Sequence, residues 1–215
     1  MIPGDAHGST DAVDAAAVAR WLRRGMLLVM ATMAYNAVEA GIGLWAGLRA
    51  GSIALVGFSL DSVIEIAAAA VVLWRLRLGL TQRSQDETRR LDRIAIRFVG
   101  TTFLLLATYV TIDAIVRLTR DEAAGESTVG IVLASVSLVV MPVIAAGKFR
   151  VAHAVNSAAL RAEAKETLAC SYLSFTLLLG LVANAWRGLT WADPVAALLM
   201  VPWLVHEGRE AFDDD

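Results

Sequence analysis

The chain has 215 residues, 57% of them hydrophobic, with 19 basic and 21 acidic side chains and a formal net charge of −2. That balance leaves no electrostatic footprint for nucleic acid, and a single cysteine excludes an intrachain disulfide. Long apolar stretches with the charges bunched between them are the composition of a membrane protein.

Residues 1–19 are polar and acidic (Asp5, His7, Asp11, Asp14) and lack the basic-then-apolar order of a cleavable signal. They read as a cytoplasmic tail, helical near Ala15 to Ala17. Trp21 with Arg20, Arg23 and Arg24 marks the first membrane boundary. Six spans follow, each close to the roughly 20 residues needed to cross. They are expected at residues 25–48, 52–76, 96–118, 129–146, 159–186 and 193–206. The sixth is short but bounded by Trp191 and Trp203. The predicted fold is an all-α membrane protein, a six-helix transmembrane bundle over residues 20–208, followed by a short acidic tail at 209–215 with no room for a soluble C-terminal domain.

The first span carries Asn36 and Glu39, an i,i+3 pair on one face, and the run Gly43-x-x-x-Gly47-x-x-x-Gly51, which permits close helix contact. The second span holds the chain's most informative stretch. In Ser52-Ile-Ala-Leu-Val-Gly-Phe-Ser-Leu-Asp61-Ser-Val-Ile-Glu65, two acids sit where each charge costs about 2.5–3.5 kcal/mol at mid-bilayer. Their i,i+4 spacing puts both on one helix face a turn apart. The fifth span repeats the frame as Ser157-Ala-Ala-Leu-Arg-Ala-Glu-Ala-Lys-Glu166-Thr-Leu-Ala-Cys170. Asp61 and Glu65 register onto Glu166 and Cys170, so two helices would close one site of three carboxylates and one thiolate. The thiolate suits softer ions such as zinc or cadmium, and the carboxylates suit manganese, iron or magnesium. Asn36 and Glu39 would line and orient this site from behind. In the third span Asp113 precedes Arg117 by four, the favourable order for a local ion pair.

The loops set an orientation. The second-to-third connection holds Arg75, Arg77, Arg83, Arg89, Arg90, Arg93 and Arg97 against Asp86, Glu87 and Asp92, and the fourth-to-fifth holds Lys148, Arg150, His153, Arg161 and Lys165. By the positive-inside rule both termini are cytoplasmic, which six alternating spans require independently. Asp61 and Glu166 each lie about nine residues into their spans from opposite faces, so each is roughly 13 Å deep at 1.5 Å per residue. Transport sites lie near that midplane.

On these residues the chain resembles the cation diffusion facilitator (cation efflux) family. The family's second and fifth helices each carry a pattern like Ser-x-Ala-Leu followed by His/Asp-x-x-x-Asp. Here it reads Asp61-x-x-x-Glu65 and Glu166-x-x-x-Cys170, and Trp191-Ala-Asp-Pro-Val-Ala-Ala-Leu is similar to the entry into the sixth helix. The resemblance covers residues 20–212 and is strongest to a small branch without the cytoplasmic C-terminal domain. It implies a homodimer in the cell (inner) membrane that exports divalent metal, most often zinc, in exchange for protons. The metal is cargo, and no resident cofactor is implied. Two departures stand out: the site has no histidine, and Cys170 takes a place usually held by Asp.

The function expected is a divalent metal cation transporter working by metal/proton antiport, with Asp61, Glu65, Glu166 and Cys170 as ligands. The alternative is a non-transporting membrane scaffold or partner subunit with a degenerate site. No nucleophile–base pair, His-Glu-x-x-His or phosphate loop points to an enzyme. A channel would need a continuous polar stripe, whereas the candidate ligands gather at one depth.

Overall fold

The computed structural model describes residues 6–78, 85–120 and 124–213. These residues form the helices α1 (Ala6–Ala50), α2 (Ile53–Leu78), α3 (Gln85–Arg120), α4 (Thr128–Ala154), α5 (Ala158–Arg187) and α6 (Ala192–Asp213), with no strand among them. Five contain stretches long and apolar enough to cross a bilayer: Val18–Ala50, Ile53–Trp74, Gly100–Arg120, Thr128–Ala154 and Leu160–Trp186. The chain is therefore an all-α membrane protein. The sixth helix differs because its apolar run, residues 194–205, is bounded by Asp193 and His206. At about 1.5 Å per residue that run spans roughly 18 Å, short of the roughly 30 Å hydrocarbon core.

Serines and glycines set the helix ends. Ser52 caps α2 by accepting from the Leu55 amide at 3.0 Å, Ser127 caps α4 through Gly130 at 3.1 Å, and Ser157 caps α5 through Leu160 at 3.2 Å. Gly51 (φ 63°) turns the chain from α1 into α2, and Gly188 (φ 60°) closes α5 in left-handed backbone. Asn156 (φ 49°) makes the equivalent turn after α4, a conformation its short polar side chain tolerates.

Helix α2 is the hub. It packs on α1, α3, α5 and α6, and 61% of its membrane window is buried, against 28–50% for the other four spans. Lipid tails are as apolar as leucine, so close packing of small residues draws these helices together. Gly43 and Gly47 show this directly. A methyl on Gly47 would lie 2.9 Å from Val56 Cγ2 and 3.0 Å from the Val56 amide nitrogen, and one on Gly43 would collide with Ser59 Oγ. The glycine run therefore holds α1 against α2. Around the hub, Leu55, Phe58, Leu173, Leu177, Leu181, Met200 and Leu204 fill the core.

Several helices run beyond the expected spans. Helix α1 starts at Ala6, inside the predicted tail, α3 starts at Gln85, and α4 continues to Ala154. Lys148 and His153, expected on a loop, are thus helical, and the α4–α5 connection is only residues 155–157. The cause in α4 is that Lys148 finds a partner inside the bundle, described below, and need not reach water. Residues 1–5, Arg83, Asp121, Glu122, Asp214 and Asp215 lie outside the described residues. The Asp113–Arg117 ion pair is present at 3.0 Å, and Arg117 Nη1 also donates to the Gly51 carbonyl at 2.6 Å.

Candidate metal centre

The duplicated frame has a structural meaning. Ser52 and Ser157 are the N-caps of α2 and α5, so both helices count from the same origin. Asp61 and Glu166 each stand nine residues past their cap (61 − 52 and 166 − 157). Glu65 and Cys170 each stand thirteen past it (65 − 52 and 170 − 157). At about 1.5 Å per residue these positions lie roughly 13 and 20 Å along their helices. The two helices start from opposite faces. Because the two helices run antiparallel, the order of the two positions is reversed from one helix to the other.

The structure brings Asp61, Glu65 and Cys170 together. One ligand atom from each lies within 4.8 Å of the others, and all three residues are buried. Donors held 2.0–2.3 Å from a tetrahedral ion are about 3.3–3.8 Å apart, so a shift of about 1 Å would close the three onto a cation. Glu166 is not in this group. It lies half-buried in a crevice shared with Glu65, Thr32, Asn36, Glu163 and Thr167. The four residues therefore form a three-ligand cluster and a fourth carboxylate toward the 155–157 turn.

Polar groups on α1 and α4 support the cluster. Asn36 Nδ2 donates to Glu65 Oε2 at 2.6 Å, fixing the orientation of that carboxylate. Glu39 is 1% exposed; it accepts from Ser62 Oγ at 2.8 Å and from Ser137 Oγ of α4. Ser137 in turn pairs with the Tyr35 hydroxyl at 2.7 Å. Glu39 thus clamps α1 to α2 beside Asp61, and to α4, as an oriented support.

Two further features escaped the sequence reading. Lys148, fully buried on α4, forms an ion pair with Glu163 of α5 and donates to Thr167 Oγ1 at 2.7 Å. A lysine two residues beyond an unbroken apolar span was the available signal. Asp193, 1% exposed, accepts from the Ile53 amide at 2.8 Å and from Ser52 Oγ. A carboxylate of α6 thereby holds the positive N-terminal end of α2, which accounts for the Asp in Trp191-Ala-Asp-Pro. Apart from the buried cluster, His206, Glu207 and Glu210 form a second group on the exposed side of α6, with His206 and Glu210 at 3.6 Å.

A hub helix carrying two buried acids, met by a thiol from an antiparallel partner, defines a multi-pass helical membrane protein with a buried cluster of candidate cation ligands in its interior. Comparison with known proteins gives the family. The model of the cation efflux transmembrane domain matches residues 29–212, and the chain belongs to that family. It is 25% identical over 173 residues to the uncharacterized transporter sll1263 of Synechocystis sp., covering 78% of this chain and 56% of the relative. It is 27% identical over 169 residues to the magnetosome protein MamB of Magnetospirillum gryphiswaldense, covering 76% and 56%. A second MamB, from Paramagnetospirillum magneticum, is 27% identical over 157 residues, covering 71% and 52%. The chain thus spans little more than half the length of these relatives.

Proposed function

We propose that the protein transports a divalent transition-metal cation across the membrane, and that Asp61, Glu65 and Cys170 hold it midway. The observation that carries this reading is the convergence of two carboxylates and a thiol at one buried point between antiparallel helices. Buried acids facing a bundle interior mark ion pathways, and membership of the cation efflux family supports the same reading. Glu166 guards the approach from the 155–157 side. The mixed oxygen and sulfur donors favour zinc or cadmium over magnesium.

Thiol and carboxylate ligands release protons when they bind a metal. Cation entry therefore drives protons out of the cluster, and protons returning from the other side displace the cation. That linkage makes metal/proton antiport the natural cycle, with outward movement as the family name implies. The hub position of α2 suits rocking of one helix group against another around a fixed site. The exposed Arg20, Arg23, Arg24, Arg77, Arg97 and Arg150 gather at one end of the bundle, consistent with cytoplasmic termini. A homodimer in the cell membrane completes the reading, as the family resemblance of the sequence implies.

The test is expression in a host stripped of its own exporters of divalent ions. The wild-type chain should restore growth in raised zinc or cadmium and lower cell metal content. Asp61→Ala, present in the membrane at equal level, should do neither. Equal protection by Asp61→Ala would sink the assignment of the site.

A further inference from the structure

The seam between α1 and α4 ends in arginines. Leu28 packs on Gly147, where a methyl would stand 3.3 Å from Leu28 Cδ1, and Gly25 packs on Val151, where a methyl would stand 3.1 Å from Val151 Cγ1. The two helices therefore run in opposite directions, and moving toward the 155–157 turn means going backward in α1 and forward in α4. From Leu28 one turn back brings Arg24 and a second brings Arg20; from Gly147 three residues forward bring Arg150. Spacings of three and four keep a residue on one helix face, so the three arginines stand along the seam, and all three are exposed. The Arg24 guanidinium lies 5.0 Å over the ring of Trp21. Trp21 is itself packed against the cluster of Val29, Val151, Ala152 and Leu160, so this contact holds the charge in place. No acidic residue occurs in residues 18–38 or 128–162, and among the described residues none of the three arginines belongs to an ion pair. Further into the bundle the exposed surface turns apolar, with Leu27 and Met30 on α1 and Val143 on α4.

We propose that this end of the α1–α4 seam binds the phosphate of an anionic phospholipid, with Arg20, Arg24 and Arg150 around the headgroup and the exposed apolar side chains against its acyl chains. Orientation in the membrane needs basic residues only somewhere on the flank. It does not need them aligned on one packed seam, with one guanidinium held over a tryptophan. The planar N–H fork of a guanidinium matches two phosphate oxygens at once. Basic pockets between transmembrane helices are where phosphate headgroups settle. The adjoining apolar surface has no use for a free phosphate, and it commits the site to a lipid. A headgroup bound there ties α1 to α4 at the end of the bundle where Lys148 pairs with Glu163.

The experiment counts lipids on the full chain. The protein in detergent is titrated with phosphatidylglycerol or with phosphatidylcholine of the same acyl chains, and bound lipid is read by native mass spectrometry. At roughly fivefold per arginine, the first phosphatidylglycerol should bind about a hundredfold tighter than the first phosphatidylcholine. Arg24→Gln combined with Arg150→Gln should lose roughly thirtyfold of that preference. Arg49→Gln is the control, because Arg49 lies 5.1 Å over Trp45 near the other end of α1 and its loss should change nothing. Arg20→Gln, one turn further out, carries the test if the double variant fails to fold, and should lose about fivefold. Equal affinity for the two lipids in the wild type would overturn the site, as would a preference that survives in the double variant and in Arg20→Gln. An equal loss in Arg49→Gln would show diffuse charge and overturn it as well. Displacement of phosphatidylglycerol by millimolar glycerol phosphate would mark a free-phosphate site and overturn the lipid assignment.

Discussion

Replacing Asp193 with Ala should destabilise the bundle although Asp193 lies far from any ligand of the cluster in sequence. Its two oxygens accept from the Ile53 amide at 2.8 Å and from Ser52 Oγ. A hydrogen bond to a charged group contributes about 1.5–3 kcal/mol, and leaving a buried donor unsatisfied costs about 1–3 kcal/mol. These overlap, because the orphaned donor is the Ile53 amide itself, in a residue 1% exposed. Ser52 still caps Leu55 at 3.0 Å, so part of the cap survives. The net loss should be about 3 kcal/mol, roughly a hundredfold in the folded-to-unfolded ratio. Asp193→Asn keeps one acceptor and should lose about half as much. Unfolding by SDS in mixed micelles, followed through the six tryptophans, measures both variants. A loss below about 0.5 kcal/mol for Ala, or an Asn variant as unstable as Ala, would refute the reasoning.

Cys170→Ser removes the one soft ligand, so cadmium binding should fall by at least tenfold while manganese binding changes little; parallel titration calorimetry with both ions checks it. Gly47→Leu should force α1 from α2 and cost about 1–3 kcal/mol. Gly41→Ala is the control, since a methyl there meets nothing within 4 Å, and the same SDS titration should find it neutral or stabilising. Lys148→Met should cost about 3–5 kcal/mol by leaving Glu163 buried and unpaired, whereas Lys148→Met with Glu163→Leu should recover most of that. A double-mutant cycle with no coupling between the two would show that the pair is not formed in the membrane.

Much of this arrangement was legible in the sequence, because the bilayer makes each buried acid conspicuous. Asp61 and Glu65 stood out against their apolar neighbours, and the repeated Ser-x-Ala-Leu frame put α5 in register with α2. The Gly43 and Gly47 contact and the Asp113–Arg117 pair followed from local spacing alone. The division of the four candidate ligands did not. Equal counts from two caps make Asp61 correspond to Glu166 in sequence, but antiparallel helices reverse the order, so Asp61 meets Cys170 in space. Lys148 was misplaced for a related reason. A charge near the end of an apolar run reads as a boundary, and only packing against α5 shows that Glu163 and Thr167 receive it inside. Asp193 and Ser137 act across long sequence separations, and one sequence carries no local mark of such contacts.

The most direct measurement uses the purified chain in proteoliposomes loaded with a metal-sensitive dye, with zinc outside and an imposed pH gradient. Wild-type vesicles should show zinc flux that follows the gradient, and folded Asp61→Ala vesicles should show none. Zinc flux of equal rate in both, or none in either with the protein folded, would contradict transport through the Asp61, Glu65 and Cys170 cluster.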